Sequence, residues 1–547
     1  MTTVLFGLLC TIVLNVPSLW ALHQGTFSLA NLGLEVRGSA DEVYYAALIR
    51  DVAEGYTGVG NVSFYEHRFA QSVLGYTPLL QGLLMRLLHS QLVTAIFAGD
   101  LIFPFLAGCI TYLLMRRCEP DTCVAFFGAA AIMAWKGGGW LRTFSPQITG
   151  LLFLIAILTL FSVGRRSAVM RGACIGMLLL TQPTYAAFLL IAEGLLACLH
   201  WKREGFASAF CAHLPVAAII LMVISLRLFF AVSDPNTRAL ADTYRRLGLI
   251  PSHLPAAPRL QLLIIMTFLL YQCVVHQVRA TSRTDRVVLP LLLVTSFLSL
   301  WLSLFIGVDG NFGLYYTFPI RIILWIVWFR IMFLVLPKYQ RTMISFSIAT
   351  VFVFLAFQQV VLPLQTSDIP SVVEVEKILS LVAASSPTRI IAAPLEISNF
   401  VPVFTPHYTL FTQYAHFQYA SDQELAERYL TLHNIFPLDP SYTLEGNPLV
   451  FGLYAGNLSA RERTWCRILL SVGLSAGPCS QRLVDFIYHQ DVRRLVEAHT
   501  VDTVIMLKKY GVNTVIADKP LPPKISQMCV SFATLVPYTL YNCNFGR

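Results

Sequence analysis

Two adjacent carboxylates, Asp41 and Glu42, open the stretch Gly38-Ser-Ala-Asp-Glu-Val-Tyr-Tyr-Ala-Ala-Leu-Ile-Arg-Asp-Val-Ala-Glu54, just after the first hydrophobic span. A carboxylate facing a membrane surface can serve as a general base or as a metal ligand. The same residues also suit helix capping. Ser39 followed by Glu42 makes a capping box, and Asp41 falls in the first turn, where the helix macrodipole favours negative charge. The two roles are compatible, because a capped helix start is a rigid platform for a reactive group. A second cluster, Gly60-Asn-Val-Ser-Phe-Tyr-Glu-His-Arg68, offers a carboxylate, an imidazole and a guanidinium in Glu66, His67 and Arg68. That set suits a metal or a phosphate, and its alternative is a solvated polar loop.

Ionisable residues inside apolar runs are the other candidates: Asp100, Glu193, Arg227, Arg321 and Arg330. Asp100 and Glu193 are expected to be paired structural groups. Arg321 follows Tyr315-Tyr-Thr-Phe-Pro-Ile, where a proline just inside a helix start orients the chain. A guanidinium there can grip a phosphate bidentately, or it can snorkel to the interface.

These residues need a scaffold, and composition names it. The 547 residues are 56% hydrophobic and only 13% charged, with a mean hydropathy of +0.65. A soluble protein carries about twice that charge. The fold class expected is a polytopic α-helical membrane protein of about eleven transmembrane helices with a C-terminal extracytoplasmic α/β domain. The candidate runs are 4–22, 91–114, 122–135, 146–163, 172–182, 184–199, 207–231, 260–276, 287–307, 313–336 and 343–363. The first has no basic residues before it and reads as a retained span.

Basic clusters at 116–117, 165–171, 202–203, 279–286 and 338–341 fall in every second loop. The positive-inside rule puts all five in the cytoplasm, with the 23–90 loop and the tail outside. The net charge of +9 is thus a topology signal and not a nucleic-acid one. The 172–182 and 184–199 runs, broken at Gln182-Pro183, read as two short helices meeting partway through the membrane. Within 23–90, residues 39–54 and 73–89 read as helices lying in the interface. Lys136 and Arg142 flank a glycine run in another outer loop.

The membrane part is expected to span 1–363 and the extracytoplasmic domain 364–547. In the tail, Arg389 to Pro394 reads as a strand, Ser421 opens a capped helix, and Asp502 to Tyr510 is a helix closed by Gly511 before a strand. Cys466, Cys479, Cys529 and Cys543 are compatible with two disulfides of unassigned pairing. No zinc spacing, phosphate loop, nucleophile elbow or repeat is present. Asn61 and Asn457 stand in sequons.

The retained span, the acidic helix in the first outer loop, about eleven spans and an outer tail together resemble the GT-C superfamily of membrane glycosyltransferases. Asp41 to Gly55 with Gly60 to Arg68 is similar to the first outer loop of prokaryotic members related to the protein mannosyltransferases. The resemblance implies a polyprenyl-phosphate-linked sugar as donor, transferred with inversion on the outer face of a bacterial or archaeal plasma membrane. The acceptor would be a carbohydrate, lipid or protein. Asp41 would deprotonate the acceptor or bind a divalent metal (Mg²⁺ or Mn²⁺), and Glu42 matches the second acidic position. Arg321, His67 and Arg68 extend this reading as donor-phosphate ligands. Tyr45, Glu66 and Arg227 are assigned to the acceptor or another part of the site. Two other functions compete: a transporter or lipid flippase, which the intramembrane charges suit, and a non-catalytic subunit with a binding tail.

Overall fold

The computed structural model describes residues 1–23, 42–55, 61–67, 77–87, 89, 91–136, 140, 147–162, 164–232, 242–243, 249–251, 257–280, 282–306, 308–310, 316–364, 372–383, 388–415, 418–436 and 501–546. Ser39, Asp41, Arg68, Arg142, Asn457, Cys466 and Cys479 lie outside them, as do the side chains of Glu42, Lys136 and Arg227.

All the apolar runs expected to span are helical. They form Thr2–His23, Leu92–Cys118, Thr122–Lys136, Gln147–Leu160, Arg165–Thr181, Pro183–Glu204, Phe206–Val232, Pro258–Gln277, Leu289–Leu300, Thr317–Val335 and Lys338–Leu364. Among the described residues, five helices are long and apolar enough to cross a membrane: those holding 94–118, 183–204, 206–225, 258–277 and 317–335. The outward faces of several carry large bare hydrophobics, such as Leu262, Met266 and Leu269, or Leu221 and Met222. A water-soluble protein does not expose apolar surface on that scale, so this is a membrane protein.

The Gln182-Pro183 break is present, but the helices on either side are not short. The first starts at Arg165, so Arg165, Arg166 and Arg171 belong to its first two turns and not to a loop. At 1.5 Å per residue the pair measures about 26 and 33 Å, which corrects the expectation that both are short. Long arginine stems let a helix begin before the apolar run does. Gly172 and Gly176 let this helix lie against Phe206–Val232. A Cβ on Gly172 would sit 3.0 Å from the Val216 Cα, and one on Gly176 would sit 3.2 Å from Val223.

The five basic clusters meet at one end of the bundle. Arg330 Nε and Nη2 each donate to Asp285 at 2.8 Å, and Arg330 Nη1 donates to the Cys118 carbonyl. Arg341 lies 3.7 Å from Glu119. Arg171 and His213 share Glu193, and Arg283 lies close enough to Arg171 and Arg203 to feel their charge. Glu193 is therefore the paired structural group expected.

At the opposite end stand the Glu42–Ala53 and Thr77–Leu87 helices. The first was expected to float in the interface with one apolar side. Instead Val43 through Ile49 and Val52 are all buried. Its sequence is apolar around nearly the whole circumference, and such a helix needs cover on every side. The cover comes from Thr77–Leu87, from Leu92 and Ile96 where the next helix begins, and from the tail: Val372, Val375, Ile397, Val401 and Tyr414. A Cβ on Gly82 would lie 2.5 Å from the Val52 Cβ, so only glycine admits this helix contact. Gln81 is buried as well and donates to Gln147, which donates to Asp100.

The tail holds a mixed five-stranded sheet. Parallel pairs join β3 (Ile390–Ala392) to β4 (Tyr408–Thr409) and to β5 (Thr514–Ala517), and an antiparallel hairpin, β6 (Cys529–Leu535) with β7 (Tyr538–Cys543), extends it beyond β5. Outside the tail, β1 (Leu249–Pro251) pairs antiparallel with β2 (Val308–Gly310). Ser421 caps Asp422–Ile435 by accepting from the Glu424 amide at 3.2 Å, and Asp502 caps Thr503–Lys509. Gly511, at φ +63°, ends the latter helix as its sequence suggests. Cys529 and Cys543 form a disulfide across the hairpin.

Candidate functional site

Arg321 stands about one turn inside the Thr317–Val335 helix, on its exposed side. An aromatic cluster fixes that helix start. Phe318 stacks on Tyr185 with ring centroids 5.9 Å apart and meets Trp140 edge-on at 5.6 Å. Trp140 is buried, and its indole donates to the Met133 carbonyl at 3.1 Å. Because Trp140 lies between the end of Thr122–Lys136 and Gln147, Arg321 belongs to the same end of the bundle as the Glu42–Ala53 helix.

Below Arg321 runs an apolar cavity of about 480 Å³. Arg321, Leu324, Trp325, Trp328 and Met332 line it at the spacing of one helix face, and Leu263 and Ile348 close it from the two neighbouring helices. From Arg321 to Met332 the helix rises about 16 Å. Among the described residues that line it, Arg321 alone is charged. This geometry suits an amphiphile with one anionic head and a long hydrocarbon tail. The sequence reading singled out Arg321 but missed the wall. Trp325 and Trp328 recur at helical spacing behind it, and that was the available signal.

The second polar cluster is not a solvated loop. Val62, Ser63 and Phe64 are buried, and Thr409 donates its amide to the Ser63 carbonyl at 2.9 Å. Glu66 and His67 meet the Asp422–Ile435 helix of the tail. Arg428, 0% exposed, donates to Glu66 at 2.6 Å, to Glu424 at 2.9 Å and to the Leu410 carbonyl at 3.2 Å. Its guanidinium lies over the Phe64 and Tyr510 rings, 4.2 and 4.0 Å from their centroids. His67 Nε2 is 2.7 Å from Glu424. Burial pushes the Glu424 carboxyl up, but His67 and Arg428 outweigh it and hold it below the usual range. In the same way Lys509 and Tyr510 override burial at Glu427.

The structure therefore brings Glu66 and His67 to each other's neighbourhood and to the tail, and neither lines the Arg321 cavity. Asn61, the first sequon, is buried, and its Oδ1 accepts the Ser63 and Phe64 amides. In the folded protein it is not a glycan acceptor. Tyr45 is buried beside Tyr44, which faces Tyr414 at 6.2 Å. Asp51, on the same helix, was not singled out in the sequence. Burial, with Glu54 adding and Arg50 opposing, pushes its carboxyl up to about 6. Among the described residues no three His, Cys, Asp or Glu side chains gather as a metal site requires.

No protein-family model matches the sequence, and no curated protein does. Among solved structures, the chain is similar to the apo crystal structure of the Archaeoglobus fulgidus oligosaccharyltransferase. The TM-score is 0.47 at 11% identity, covering 94% of this chain and 69% of that one.

Proposed function

We propose that the chain is a membrane glycosyltransferase that takes a sugar from a polyprenyl-phosphate donor and passes it to an acceptor at the end of the bundle carrying the tail. The observation that supports this most is the Arg321 cavity, a hydrocarbon-lined trough with the Arg321 guanidinium at its head. The polyprenyl tail lies along Leu324, Trp325, Trp328 and Met332, and the phosphate meets Arg321. Asp41 takes the proton from the acceptor hydroxyl, and Glu42 supports it as the second acidic group. The acceptor oxygen then attacks the anomeric carbon from the face opposite the phosphate. The bond between that carbon and the phosphate oxygen breaks with inversion, and polyprenyl phosphate leaves as an anion. Arg321 stabilises the charge as it develops. Arg68 is assigned with Arg321 to the donor phosphate, and Arg227 and Tyr45 to the acceptor side or another part of this site. Glu66 and His67 act by holding the tail over it. The Cys529–Cys543 bond supports an oxidising, extracytoplasmic setting for the tail.

The test is release of polyprenyl phosphate by the purified protein from a panel of polyprenyl-phosphate sugars with candidate acceptors. Wild type is run beside Asp41→Asn, with and without EDTA. Release by wild type that is lost in the variant supports the reading, and EDTA decides whether Mg²⁺ or Mn²⁺ takes part. Binding of the donors without release of polyprenyl phosphate from any of them would favour lipid transport instead.

A further inference from the structure

A second cavity, of about 300 Å³, opens at the basic end of the bundle, the end opposite the Arg321 head. Arg165, Arg171, Arg203 and Arg283 line it, with His200, His213 and Glu204. The negative charge nearby is already engaged. Glu193 accepts from Arg171 at 2.5 Å and lies 2.6 Å from His213 Nδ1, and Glu204 lies 2.8 Å from His200 and accepts from Ser208. Among the described residues, Arg165 and Arg283 have no carboxylate within ion-pair reach. The arginines crowd one another: burial, then Arg171 and Arg203, depress the affinity of Arg283 for its proton. Such crowding is relieved by an anion.

The rim says which kind of anion. Trp201, Phe206 and Phe210 form an exposed aromatic ladder beside the cavity, with successive centroids 5.8 and 6.0 Å apart. Aromatic ladders of this sort sit at head-group depth, and the exposed Leu214, Leu221 and Met222 continue the same helix as an apolar strip. We infer that this cavity binds the phosphate head of an anionic phospholipid, with its acyl chains along the Phe206–Val232 helix. The positive-inside rule assigns this end to the cytoplasmic leaflet, where anionic lipid is concentrated. The site is separate from the donor trough and does not depend on the chain being a transferase.

Native mass spectrometry of the full chain, released from mixed micelles containing phosphatidylglycerol and phosphatidylcholine, tests it. Wild type should retain phosphatidylglycerol selectively. Arg165→Ala with Arg283→Ala should weaken retention about twenty-fivefold, since each cation near an anionic head contributes about fivefold. Both side chains are exposed, so the fold should survive, and an unchanged elution profile on size exclusion would show it. Arg117→Ala with Arg166→Ala, at the same end but outside the cavity, should leave retention unchanged. Equal retention of the two lipids, equal loss in both double variants, or displacement by inorganic phosphate would each overturn the proposal. The last outcome would identify a free-anion site.

Discussion

At the basic end of the bundle, Arg171 meets Glu193 only 22 residues away, and Arg330 meets Asp285 at 45 residues. At the other end, Arg428 meets Glu66 across 362 residues and His67 meets Glu424 across 357. Both networks bury charge, but they answer different demands. Within an apolar bundle a charge needs a partner on an adjoining helix, and adjoining helices are near in sequence. At the other end the charges join two parts of the chain that are far apart, so the network works as a clasp between the 61–67 segment and the tail. The Glu42–Ala53 helix is buried at that same end, against Val372, Val375, Ile397 and Val401 of the tail.

The largest effect expected is on the clasp itself. Arg428→Ala leaves the partly buried Glu424 and the more exposed Glu66 without their shared, fully buried cation and should cost about 3 kcal/mol. It should appear as a lowered melting temperature and faster trypsin cutting within the tail, and an unchanged melting temperature would break the comparison. Next comes Asp51, whose folded pKa of about 6 exceeds its ordinary 3.8. The folded state then holds the proton more tightly than the unfolded one. Its penalty is absent below about pH 4, grows to pH 6 and is full above. At about 1.4 kcal/mol per unit, Asp51→Asn should gain about 3 kcal/mol at pH 8 and almost nothing at about pH 3, read as a melting-temperature profile. Glu424 has the opposite sign, because its depressed pKa contributes stability that is lost as pH falls through the folded value. Gly82→Ala forces a methyl group onto Val52 and should cost about 1–2 kcal/mol in the same melting assay. Smallest is Ser421→Ala, a local cap worth about 1 kcal/mol.

What could be read from the sequence follows the same division. The helical runs, the alternation of basic clusters and the pairing of Glu193 were legible, because a bilayer penalises charge and demands length. The caps at Ser421 and Asp502 were legible because they act within one turn. The partners of Glu66 and His67 were not, since nothing local announces a partner some 360 residues on. Asn61 looked like a surface sequon for the same reason. The burial of Val43 through Ile49 was written in the sequence, in an apolar circumference that was read as one apolar side. The wall below Arg321 was similarly on the page, as Leu324, Trp325, Trp328 and Met332 at helical spacing.

The central claim is that Arg321 and its trough hold a polyprenyl phosphate, and binding measures this without requiring turnover. A fluorescent polyprenyl phosphate should bind the purified wild type and bind Arg321→Ala about tenfold or more weakly, a loss typical of one charge-assisted contact to phosphate. Trp328→Ala, which shortens the wall but spares the cation, should weaken the long-chain ligand and not a short-chain analogue. Equal affinity in wild type and Arg321→Ala would contradict the account.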